Sequence, residues 1–162
     1  MATIIKSPTS LCPYLNHWPK FSVFLAGSIE MGLAENWQSR VEKGLADTDA
    51  VIFNPRRDDW DFSWVQSKDN PKFKEQVDWE LSALEMATVI AMYFDPKTKS
   101  PISLLELGLF GRTCPVMIVC CPEGYWRKGN VDIVCERYSI MQAKSLDEMI
   151  NYIIGIAKPY QG

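Results

Sequence analysis

The chain reads as one α/β domain built on a parallel five-stranded sheet sandwiched between helices. Three observations point there. Short, apolar, β-leaning runs alternate with helical segments from Phe21 onward. Residues 88–108, TVIAMYFDPKTKSPISLLELG, have the strand, polar loop, helix order of half a βαβ unit. The chain has 162 residues, 47% of them apolar, which suits a single domain with a real core and excludes a disordered chain.

Residues 1–20 carry Pro8, Pro13 and Pro19 among scattered Ser and Thr and read as an irregular arm, leaving 21–162 as the domain. The single histidine, His17, lies in this arm beside Trp18, and no acid or nucleophile is suggested near it. Residues 21–26 form the first strand. Gly27-Ser28 closes it, and 29–32 lead into a helix over about 34–45. A strand ending in Gly-Ser before a helix can turn backbone N–H groups and a hydroxyl toward an anion; such turns also occur for steric reasons alone. There is no GxGxxG, so a dinucleotide fold is not supported.

Residues 50–53 are the second strand. A long polar loop follows, beginning Asn54-Pro-Arg-Arg-Asp-Asp-Trp-Asp61 and running to Asn70. Its charges interleave with Trp60 and Trp64, which suits either a base-stacking, sugar-binding lid or a solvated loop with aromatic anchors. Asn70-Pro71 caps a helix to about Met86, with Phe73, Val77, Leu81 and Leu84 as its buried stripe. Glu80 leans toward that stripe, where a carboxylate is costly unless paired or useful. A boundary salt bridge is the alternative for it. Asp78 is a neighbouring candidate that lies off the stripe.

Residues 89–94 are the central strand, 95–100 a polar turn, and 101–111 a helix with Glu106 set among leucines. In open parallel sheets the ligand crevice lies outside the carboxyl ends of the strands, where 95–100 fall. A carboxylate in the first turns of the next helix points into that crevice and is helped to ionise by the helix dipole. Two helix starts compete. Ser103-Leu-Leu-Glu106 fits a capping box, in which the glutamate only satisfies a free N–H. Ser100 as N-cap with Pro101 as first helical residue leaves Glu106 without capping duty. Further on, 115–121 is a strand, PEGYWRKGN (122–130) a turn-rich loop, 131–138 a short helix and 140–143 a short strand. Ser145-Leu-Asp-Glu148 is a capping box for a last helix ending before Pro159.

Net charge is −3 with no run of five like charges, which argues against nucleic acid as a main partner. No apolar stretch reaches the length of a membrane span, and the N-terminus has no basic-then-apolar signal pattern. The expectation is a soluble, cytoplasmic protein. Five cysteines, one histidine and no CxxC speak against a zinc site and for buried free thiols in a reducing compartment. No metal or cofactor is expected.

FLAGSI, then QVDWELSALEMATVIAMYF, then SPISLLELG, in this order and spacing, resemble the nucleoside 2-deoxyribosyltransferase family, including the related N-glycosidases of nucleoside monophosphates. The likeness covers most of the chain after Lys20. It is closest to a divergent branch with Asn-Pro-Arg-Arg after the second strand and a late Tyr-Trp-Arg loop. The resemblance implies a doubly wound, flavodoxin-like or Rossmann-like sheet and a homo-oligomer. It implies that Glu106, in Glu-Leu-Gly, attacks the anomeric carbon of a nucleoside and forms a glycosyl ester, resolved by a second nucleobase or by water. The acid that helps the base leave falls on Glu80, eight residues before Thr88, with Asp78 as fallback. Thr88 stands where the family usually has Asp and is read as structural. The substrate contacts it implies are Phe24, Gly27, Ser28, Asn54, Arg56, Asp61, Ser100, Gly108, Trp126 and Asn130. Phe24 departs from the tyrosine of many members. Ser100 and Ser28 match the monophosphate hydrolases, with Arg56, Arg57, Lys97 and Lys99 near the same rim. A nucleoside or nucleotide substrate with a free nucleobase as acceptor is the first expectation, a monophosphate N-glycosidase the rival, and a non-catalytic nucleotide-binding protein the third reading.

Overall fold

The structure, a computed structural model, describes residues 1–15, 17–29, 36–57, 59–61 and 63–160. In chain order the elements are β1 (Thr3–Lys6), α1 (Cys12–Leu15), β2 (Ser22–Gly27), α2 (Trp37–Gly44), β3 (Val51–Asn54), α3 (Pro71–Met86), β4 (Val89–Tyr93), α4 (Pro101–Phe110), β5 (Val116–Cys120), α5 (Lys128–Arg137), β6 (Met141–Ala143) and α6 (Leu146–Ala157), closed by a 3₁₀ turn, Lys158–Tyr160. The strands form one parallel sheet in the order β1-β3-β2-β4-β5-β6.

The sheet therefore has six strands, not five, and the arm is not wholly irregular. Thr3–Lys6 pairs with β3, Thr3 opposite Val51 and Lys6 opposite Asn54. An edge strand of four residues needs only one inward side chain, here Ile5, so it leaves almost no period for a sequence to display. The expected start of the second helix near 34, and 30–32 of the expected lead-in over 29–32, lie outside the described residues; α2 is seen from Trp37, with Asn36 Oδ1 accepting the Ser39 N–H at 3.3 Å.

β4 is buried along its whole length, as a central parallel strand covered on both faces must be. On one face, Trp37, Val41 and Leu45 of the α2 region and Met149 and Ile153 of α6 pack on Val23, Leu25, Ile52 and Ala91. On the other, Trp79 and Leu84 of α3, Leu107 of α4 and Val131 of α5 pack on Phe24, Phe53, Ile90 and Val119. From β2 the chain moves outward to β3, then crosses back over β2 to β4. That reversal makes the carboxyl ends of β2 and β4 the switch point, where such folds bind ligands.

α3 starts as expected, with Asn70 Oδ1 accepting from the N–H groups of Lys72 and Phe73. Its buried stripe is rotated from the expected one: Gln76, Trp79, Ala83, Leu84 and Met86 face inward, and Phe73, Val77 and Leu81 are half-buried. Thr88 is structural, exchanging hydrogen bonds with Ser22: its N–H donates to Ser22 Oγ at 3.0 Å and its Oγ1 accepts the Ser22 N–H at 3.2 Å. All five cysteines are free thiols. Burial pushes Cys120 up to about 11 and Cys121 and Cys135 up to about 12, so these three act as packing side chains, not nucleophiles. Among the described residues no helix is long and apolar enough to cross a membrane.

Candidate active site at the switch point

β2 ends against β4 with almost no clearance. Gly27 has φ +136°, and a Cβ built there would sit 2.2 Å from the Tyr93 carbonyl oxygen, so only glycine fits. The Ser28 N–H donates to that same carbonyl at 2.9 Å, and Trp37 Nε1–H donates to the Ser28 carbonyl at 3.0 Å. These contacts deliver Ser28 Oγ to the β4–α4 loop. It accepts the Asp95 N–H at 2.8 Å and lies 2.8 Å from Thr98 Oγ1 and 2.5 Å from Ser100 Oγ; Thr98 and Ser100 are 2.7 Å apart. Three buried hydroxyls thus meet at the mouth of α4.

Ser100 adopts φ 45°, ψ 54°, a left-handed conformation uncommon for a side-chain-bearing residue and found where the surroundings over-determine the backbone. The loop around it is held from the far side by Tyr125 and Trp126: the Tyr125 hydroxyl and Trp126 Nε1–H both donate to the Lys99 carbonyl, at 2.6 and 3.0 Å. α4 begins at Pro101, directly after Ser100. The capping-box reading of Ser103 to Glu106 is therefore excluded, and Glu106 is the sixth residue of its helix.

Glu106 is 8% exposed. Burial pushes its carboxyl up to about 8, and the charge of Glu80 adds to the shift. Glu80, on the edge of the inner face of α3, is pushed up to about 7 by burial, against a hydrogen bond from Gln76 that favours its charged form. Gln76 is the hub of this region. Its Nε2 donates to Glu80 Oε1 at 2.7 Å and to the Pro55 carbonyl at 3.0 Å, and its Oε1 accepts the Ser7 hydroxyl at 2.5 Å. Two buried carboxyls that feel each other titrate as a pair, because joint ionisation in a dry site is costly. Near neutral pH the pair holds at least one proton, more on Glu106 than on Glu80.

The other residues named from the sequence divide clearly. Ser28 and Ser100 meet in the hydroxyl cluster. Phe24 is core, its ring centroid 6.4 Å from that of Trp79. Asn54 is buried, donating from Nδ2 to Glu42 Oε1 at 2.7 Å and accepting the Arg56 N–H at 2.9 Å. Arg56 is half-buried, with Nη1 shut off from solvent and unpartnered. Asp78 is not brought to the pair: it is exposed and bonded to Lys74, because it falls on the outer face of α3. Asp61 is exposed and accepts the Ser63 N–H in a local turn at 2.8 Å. Gly108 and Asn130 line a groove of about 340 Å³ between α4 and α5, with Leu104, Arg127, Val131 and Val134. Arg57 does not face a ligand rim; it pairs with Asp59 and Glu75 and lies 5.1 Å over the Trp64 ring. With the tilted Trp60 and Trp64 rings 5.1 Å apart, this ties the long loop to the start of α3.

Sequence reasoning passed over Gln76 and Thr98. Gln76 lies four residues before Glu80, the helical spacing for side-chain contact, and was legible on that ground. Thr98 became visible only through the loop's conformation. Among the described residues no group of three His, Cys, Asp or Glu side chains is placed to hold a metal ion.

A parallel α/β sheet with two raised carboxyls, on α3 and α4, and a hydroxyl-lined loop at its switch point defines a Rossmann-like domain. The chain belongs to the nucleoside 2-deoxyribosyltransferase-like family, whose model matches residues 20–125, a span that includes Glu80, Ser100 and Glu106. No curated protein matches the chain.

Proposed function

We propose that the protein cleaves the N-glycosidic bond of (deoxy)nucleosides through a glutamyl-sugar intermediate and passes the sugar to a second nucleobase. The observation that carries this reading is the buried Glu106–Glu80 pair, both carboxyls raised by burial, at the switch point of a nucleoside-processing family. In the first step a Glu106 carboxylate oxygen bonds to C1′ as the C1′–N bond breaks. The bonding pair leaves with the base, which takes a proton from Glu80. In the second, a nitrogen of the acceptor base attacks C1′, returns a proton to Glu80 and frees Glu106. Burial raises both carboxyls, and at rest the proton sits more on Glu106 than on Glu80; the reactive form is the one in which it has moved to Glu80, leaving a poorly solvated Glu106 carboxylate.

The N-glycosidase of 5′-monophosphates is the second reading, and the hydroxyl cluster favours it. Ser28, Thr98 and Ser100 at the start of α4 suit a phosphate, and an Asp at position 100 would repel one. A homo-oligomer fits either reading: Ile102, Leu105 and Leu109 are more than half exposed along one side of α4, an apolar row that a second copy would cover.

Incubating the protein with deoxynucleosides and their monophosphates, with and without an acceptor base, and measuring free base and new nucleoside tests the proposal. Glu106→Ala should abolish base release and leave the fold intact. Release of base unaffected by Glu106→Ala would overturn it. Ser100→Asp should depress kcat/KM for monophosphates far more than for bare nucleosides if the second reading holds.

A further inference from the structure

The loop between β5 and α5 packs onto the loop between β4 and α4 at three points. The Tyr125 ring lies 4.9 Å, centroid to centroid, from Phe94 at the end of β4. A Cβ built on Gly124 would come 3.6 Å from Pro96 Cβ. The Lys99 carbonyl accepts twice, from the Tyr125 hydroxyl at 2.6 Å and from Trp126 Nε1–H at 3.0 Å. Tyr125 is itself buried, 4% exposed, and its carbonyl accepts the Lys128 N–H at 3.0 Å, at the first residue of α5. The Arg127 guanidinium lies 4.3 Å over the Trp126 ring. Both donors are therefore mounted on a fixed support.

The bond they grip is the one that sets the strained residue. Ser100 has φ 45°, a conformation that costs energy in a residue with a side chain. Turning the 99–100 peptide over would bring Ser100 back to a negative φ, as the type I and type II turns are related. Such a turn also reverses the Lys99 carbonyl, which would then lose both donors. The carbonyl and N–H of a trans peptide point in opposite directions, so in the structure the Ser100 N–H is turned away from Tyr125 and Trp126. A reversed peptide would put a carbonyl oxygen where that donor is, in the residue whose hydroxyl meets Ser28 and Thr98. Residues 95–98 are held separately, with the Lys97 N–H on Asp95 Oδ1 at 2.8 Å and the Thr98 N–H on the Asp95 carbonyl at 3.0 Å.

We infer that Tyr125 and Trp126 are positioning residues, which hold the 99–100 peptide in the orientation that substrate requires at the Ser100 side of the site. This rests on the glycosidic reading of the site. They act through Lys99 and Ser100 and take no part in moving the proton, so they set how well substrate is seated and leave the titration of Glu80 and Glu106 alone.

The test compares wild type with Tyr125→Phe, which keeps the ring on Phe94 and removes one donor, and with Trp126→Phe. Amide hydrogen exchange should quicken about tenfold or more over 97–104 and stay unchanged over β4. In each variant kcat/KM for base release should fall about 10- to 100-fold, as slight misplacement of substrate does. The melting temperature should stay within about 3 °C of wild type, the effect of one hydrogen bond in a domain this size. The pH limbs of the rate should not move. Variants that lose activity only in proportion to unfolded protein, or that keep the wild-type kcat/KM, would overturn the inference, as would unchanged exchange over 97–104. If the wild type releases base and both variants match it in rate and exchange, the clamp fails and the glycosidic reading stands. If the wild type releases no base from any deoxynucleoside or monophosphate while the variants loosen 97–104, the glycosidic reading fails and the clamp on the peptide stands.

Discussion

Replacing Glu106 with Gln keeps the side chain's shape and removes its titration. A carboxyl moved from its ordinary 4.5 to about 8 by burial and by Glu80 favours the folded state most when protonated. Its contribution is complete below the unfolded value near 4.5 and is lost as pH rises through about 8. At one pKa unit per ~1.4 kcal/mol, that span forfeits about 3–5 kcal/mol by pH 9. Glu106→Gln escapes the loss. The variant should match the wild type near pH 5 and exceed it at pH 9 by about 10 °C in melting temperature, on the ~2–4 °C per kcal/mol of a domain this size. Thermal melts and urea midpoints at the two pH values measure this directly. A variant that is less stable at both pH values, or that keeps the wild-type slope, would show that the charge of Glu106 is solvated and costs the fold nothing.

Gln76→Leu strands the Pro55 carbonyl, the Ser7 hydroxyl and Glu80 together; unfolding in urea should show a loss of about 2–4 kcal/mol, and the alkaline limb of the pH–rate profile should move up, since Gln76 is what lowers Glu80. Gly27→Ala drives a Cβ into the Tyr93 carbonyl at a φ that side chains avoid and should cost at least about 3 kcal/mol, read as loss of soluble protein or a sharply lower melting temperature. Leu105→Glu places a charge in the apolar row of α4; sedimentation should show a smaller species than the wild type while circular dichroism stays the same.

The central strand and its helix were legible because β4 is an unbroken apolar run and Ser100-Pro101 is a strong helix start. Glu106 stood out as a carboxylate among leucines. The inner face of α3 was misread for a physical reason: the side of the helix that faces the sheet carries Gln76 and Glu80, while Phe73, Val77 and Leu81 offer an apolar row at helical spacing on a half-covered side. Polar groups on a buried face break the pattern that would reveal that face. Asp78 points away from Glu80 because one residue's rotation on a helix is 100°, enough to turn a carboxylate from the inner face to solvent. The Ser7–Gln76 bond joins residues 69 apart, and no local pattern announces it.

That bond changes what counts as the outermost part of the molecule. The family match begins at residue 20, and a chain trimmed there would look complete by family resemblance. It would lack β1, baring the β3 edge to other chains, and would also lack Ser7. Gln76, no longer oriented at its oxygen, would be free to turn its amide, and the proton affinity of Glu80 would drift with it. Through Ser7 and Gln76, the first seven residues reach across the sheet edge to set the surroundings of Glu80.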